Sequence, residues 1–67
     1  MRGGEVIKKA RKLRGFPQVF VAEHYGLSLN TIKNYESGRT EPPFNSVIEI
    51  LEMLGIDYSE VASNDEC

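Results

Sequence analysis

The sequence predicts a small all-α domain of five helices, and three observations predict it. Apolar residues recur three and four positions apart in several separated runs, the spacing of one helix face. Gly15, Gly26, Gly38 and Gly55 stand just past such runs, where a left-handed backbone can end a helix and costs glycine least. Leu, Ile, Val and Phe fill 18 of 67 positions, or 27%, too many for a disordered chain and enough for one small core.

Met1 to Gly4, with two glycines and Arg2, reads as a flexible arm. A first helix is predicted from Glu5 to Arg14, with Val6, Ala10 and Leu13 as its core stripe and Lys8, Lys9, Lys12 and Arg14 on its other faces. Phe16 is assigned to the core. Pro17 opens the second helix, where a fixed φ and a missing N–H suit the first turn. Val21 and Ala22 form that helix's core pair, and Gly26 ends it. Ser28 is an N-cap whose hydroxyl can accept from a free amide of the next turn, and a third helix runs from Leu29 to Ser37.

Glu41-Pro42-Pro43 is an extended linker. The fourth helix, Phe44 to Leu54, turns Phe44, Val47, Ile48, Leu51 and Leu54 inward, with Ile50 widening the stripe and Ile48 and Met53 at its edges. Asp57 and Glu60 form a capping-box pair for a last short helix that Val61 docks on the core. Ser63 to Cys67 reads as a disordered tail. The division is therefore an arm (1–4), one domain (5–62) and a tail (63–67).

The net charge of −2 hides a segregation. Residues 1–40 hold all eight Lys and Arg against three acids, a net +5, and residues 41–67 hold seven acids and no Lys or Arg. Such a split suits a side facing phosphates and a side turned away from them. No apolar run is long enough to span a membrane, and no signal peptide is visible. The lone Cys67 has no intrachain partner, which fits a reducing cytoplasm. His24 has no Cys or His at ligand spacing, so no metal or cofactor is expected. One histidine and one cysteine far apart, without a Gly-rich phosphate loop, offer no catalytic constellation, so no enzyme is expected.

Function is written most densely in the third helix. With Ile32 and Tyr35 inward, Leu29, Asn30, Thr31, Lys33 and Asn34 are left outward near its N-terminal half. Amides, a hydroxyl, a lysine and an aliphatic group suit base edges: Asn for adenine, Lys for guanine, Thr or Leu for a thymine methyl.

Across Gly4 to Val61 the chain resembles the lambda Cro/repressor (XRE-like) helix-turn-helix family. The resemblance rests on Gln18 with Val21-Ala22, Gly26-Leu27-Ser28, Ile32 to Gly38, Glu41-Pro42 and Leu54-Gly55-Ile56, in that combined spacing. It implies a compact lambda-repressor-like domain that binds double-stranded DNA, with helices 2 and 3 as the helix-turn-helix. It implies base contacts from Leu29, Asn30, Thr31, Lys33 and Asn34, and phosphate contacts from Gln18, Ser28, Ser37, Arg39 and Thr40. It further implies an Arg11–Glu36 ion pair tying helix 1 to helix 3, and a homodimer on a palindromic operator. Phe44, Ile48, Ile56, Tyr58 and Val61 are the candidate dimer surface; the same residues could instead close the monomer core. The family usually has Ser or Thr at Pro17 and charged residues at Val19 and Phe20. Phe20 therefore either covers a local gap or, with the acidic C-terminal half, meets a protein partner, as an antitoxin or adaptor would. His24 is expected at the surface or near DNA.

Overall fold

The computed structural model describes residues 3–62. The elements are α1 (Gly3–Arg14), α2 (Gln18–Tyr25), α3 (Leu29–Ser37), α4 (Phe44–Leu54) and α5 (Tyr58–Ala62). α1 is the hub: it packs against α3, α4 and α5, while α2 packs against α3. The core gathers Val6, Ile7 and Ala10 from α1, Val21 and Ala22 from α2, Ile32 from α3, Val47, Ile50, Leu51 and Leu54 from α4, then Ile56 and Val61. No helix among the described residues is long and apolar enough to cross a membrane.

α1 begins at Gly3, not Glu5, so Gly3 and Gly4 belong to the helix rather than to an arm, and Met1 and Arg2 lie outside the described residues. The reason is partly a cap: the Gly3 amide donates to Glu41 Oε2 at 2.9 Å, so a carboxylate from the α3–α4 linker sits at the positive end of α1. The other reason is close approach. A Cβ built on Gly4 would lie 1.7 Å from the Tyr35 carbonyl oxygen, so the start of α1 rests directly on the backbone of α3. At the opposite end Arg14, which the sequence placed on a solvated face, donates from Nε to Leu54 O (2.8 Å) and from Nη2 to Gly55 O (2.6 Å). It caps α4, whose last carbonyls lack helical partners.

Leu13 is 59% exposed and does not belong to the core. α1 buries Gly4, Ile7 and Arg11 against the rest of the protein as well as Val6 and Ala10, which rotates the helix and turns Leu13 off the buried arc. α4 shows the same kind of rotation. Val47, Ile50, Leu51 and Leu54 face inward, and Phe44 is 65% exposed at the rim. Pro17 is the N-cap of α2 (φ −76°, ψ 162°) and offers no side-chain cap, so that helix starts at Gln18. The Asp57 amide donates to Glu60 Oε2 at 3.2 Å, which gives α5 one half of the capping box. The tail assigned to residues 63–67 lies outside the described residues.

Candidate nucleic-acid interface

The turn between α2 and α3 is locked at both ends by local bonds. Gly26 takes φ 83°, and the amides of Gly26 and Leu27 both donate to Ala22 O, at 3.0 and 2.8 Å. Two residues on, Ser28 Oγ accepts from the Thr31 amide at 3.1 Å and starts α3. Gly38, at φ 86°, ends α3, and the amides of Arg39 and Thr40 fold back onto Asn34 O at 3.0 and 3.2 Å. The sequence between these caps has no residue that must break a helix, so α3 is a nine-residue rod with both ends fixed.

A buried polar cluster fixes this rod against α1 and α2. Arg11 donates from Nε to Glu36 Oε2 (2.8 Å) and from Nη2 to Glu36 Oε1 (2.9 Å), and from Nη1 to Phe16 O (2.7 Å). Gln18 adds a bond from Nε2 to Glu36 Oε1 at 3.0 Å. The Glu36 side chain is 4% exposed and that of Arg11 is 11% exposed, so the pair sits where an unpartnered charge would be costly. One guanidinium thereby joins α1, the α1–α2 linker and α3. The Gln18 amide keeps a second hydrogen for an outside acceptor.

The outward side of α3 is chemically different. Asn30 and Lys33 are exposed, Leu29 is 37% exposed, and Thr31 and Asn34 are half-buried. No hydrogen bond or ion pair among the described residues engages the side chains of Asn30, Lys33, Asn34 or Arg39. The hydroxyls are less free. Thr31 Oγ1 lies 2.8 Å from Ser28 Oγ, and the two hydroxyls share one hydrogen bond. Ser37 gives its single hydroxyl hydrogen to Asn34 O at 3.2 Å and accepts from the Arg39 amide, so it has no hydrogen left for a phosphate. Thr40 is exposed beyond it.

Phe20 is half-buried within an aromatic column. Its ring lies 4.2 Å from that of Phe16 and stacks on His24 at 4.0 Å, and His24 Nδ1 donates to Phe20 O at 3.0 Å. Tyr25, at the end of α2, donates its hydroxyl to Glu49 of α4. That hydrogen bond to a carboxylate raises the Tyr25 phenol above its ordinary value, helped by burial and by the Glu49 charge and opposed by Ser46.

Of the candidate dimer residues, Ile56 and Val61 are 4% and 0% exposed and close the monomer core. Phe44 and Tyr58 remain outside as an edge-to-face pair with ring centres 6.1 Å apart, and Ile48 is half-buried beside them. Grooves of about 320 and 140 Å³ flank Tyr58. Among the described residues no group of three His, Cys, Asp or Glu could hold a metal ion.

No curated protein and no solved structure matches the chain. A family model described as helix-turn-helix matches residues 7–61, a span that takes in the Arg11–Glu36–Gln18 cluster, both glycine caps and the whole of α3. With that span and this geometry, the chain belongs to the Cro/C1-type (XRE) helix-turn-helix family of DNA-binding regulators.

Proposed function

We propose that the protein is a sequence-specific transcriptional regulator, a repressor or controller, that lays α3 in the major groove of double-stranded DNA and works as a homodimer on a palindromic operator. One observation carries this reading: α3 is held by caps and by the Glu36 cluster, while no hydrogen bond or ion pair among the described residues engages the polar heads of Asn30, Lys33 and Asn34. Rigid placement of free donors and acceptors is what base readout requires. Leu29 and the Thr31 methyl supply apolar contacts. Gln18, Ser28, Arg39 and Thr40 hold the backbone on either side of the groove. Such a protein works in the cytoplasm, on the nucleoid.

The dimer rests on Phe44 and Tyr58, which are 65% and 37% exposed, and on the half-buried Ile48.

Selection of random duplex DNA by the purified protein tests the whole reading. An enriched inverted repeat, bound with an affinity that falls steeply with salt, is the expected result. A single short half-site would remove the solution dimer and leave the groove reading standing. No enrichment at low salt would replace it with the adaptor or antitoxin reading, in which Phe20 or the acidic C-terminal half meets a protein.

A further inference from the structure

We infer that Asn30 and Asn34 form an amide pair that reads two adenines lying within two base steps of each other in each half-site. The inference rests on the DNA-binding reading above and deepens it. Of the groups on the outward side of α3, the Ser37 hydroxyl gives its hydrogen to Asn34 O and the Thr31 hydroxyl shares one hydrogen bond with Ser28 Oγ. Asn30 and Asn34 are the two outward side-chain amides of α3, and no hydrogen bond among the described residues engages either. An amide pairs both atoms with adenine N6 and N7, which no other base presents in that order in the major groove.

Their spacing sets the rest. Four residues along a helix bring two side chains to neighbouring positions on one face. The rise is about 6 Å, against about 3.4 Å per base step. Their backbones are also fixed. Asn34 O receives the amides of Gly38, Arg39 and Thr40 and the Ser37 hydroxyl, and Asn30 lies in the first turn that Ser28 caps. The two amides therefore reach the groove from a frame that does not have to order on binding.

Base-analogue scanning of the selected duplex provides the test. Each adenine is replaced in turn by 7-deazaadenine, which keeps base pairing and removes N7. The wild-type protein should lose about 5- to 100-fold in affinity at two positions no more than two steps apart, the range for leaving an amide donor without its N7 acceptor. Asn30→Ala should be insensitive to the analogue at one of those positions and Asn34→Ala at the other, with both variants keeping the wild-type circular dichroism and melting curve. Specific binding with no sensitive adenine, or with sensitivity that neither variant alters, overturns the amide pair and leaves the regulator reading intact. Failure to select any sequence overturns both.

Discussion

Arg11 grips both carboxylate oxygens of Glu36, at 2.8 and 2.9 Å, across 25 residues of sequence and below the surface. Removing one partner leaves a buried charge, so Glu36→Leu or Arg11→Met alone should destabilise the fold by about 3–5 kcal/mol in urea unfolding. The double variant, which removes both charges, should recover most of that loss. Its DNA affinity should stay below wild type, because Gln18 then lacks the acceptor that orients it. A double variant as unstable as the singles would show that the cluster is held by packing rather than by charge pairing.

Gly4→Ala should cost on the order of 3 kcal/mol, the upper range for overpacking, since its Cβ would meet the Tyr35 carbonyl at 1.7 Å and neither backbone has room to give. Gly15→Ala provides the contrast. Nothing lies within 4 Å of its Cβ, so only the left-handed backbone (φ 75°) is strained, and a loss of about 1 kcal/mol is expected. Thermal melts of the two variants side by side check the order.

Tyr25 gives a pH dependence with a defined sign. Its folded-state pKa is raised above 10.0 because its hydroxyl donates to Glu49. Folding thus favours the neutral phenol. The resulting stability is fully present below about pH 10 and is lost as pH rises through the folded value. Ultraviolet titration of the phenolates, differenced against Tyr25→Phe, should show Tyr25 ionising later than a free tyrosine. Glu49→Gln should bring it back toward the ordinary value. An unmoved titration in Glu49→Gln would remove Glu49 as the cause.

Lys33 and Arg39 should separate by the kind of DNA binding they affect. Lys33→Ala should lose roughly 1–3 kcal/mol on the selected site and relax preference at one base pair. Arg39→Ala should weaken all sequences alike and reduce the salt slope by about one. Binding isotherms across several salt concentrations on matched and scrambled duplexes decide this, and a changed base preference in Arg39→Ala would invert the assignment.

What was legible in the sequence was local. Gly26, Ser28 and Gly38 each act on backbone within a few residues, so the bounds of α3 could be read without knowing what surrounds it. The positions that depend on distant chain were not legible. Nothing near Gly4 signals the Tyr35 carbonyl, nothing near Arg14 signals the end of α4, and nothing near Glu41 signals the amide of Gly3. Leu13 failed for a related reason. A helix with apolar residues on more than one stripe can rotate, and the choice was made by Gly4 and Arg11, which no hydrophobic pattern counts. At the candidate site, the outward set on α3 followed from periodicity. Which hydroxyls are already occupied did not, because that depends on the rotamers of Thr31 and Ser37.

The two ends of α1 are fastened by residues 38 to 41 positions further along the chain, Glu41 at its start and the carbonyls of Leu54 and Gly55 at its finish. α3 gives α1 its first partner during synthesis, through Gly4 on Tyr35 and Arg11 on Glu36, but both ends of α1 stay unfastened until residues 41 to 55 have been made. A fragment ending at Thr40 would keep the Arg11–Glu36–Gln18 cluster and both caps of α3 but lack the fastenings at the two ends of α1.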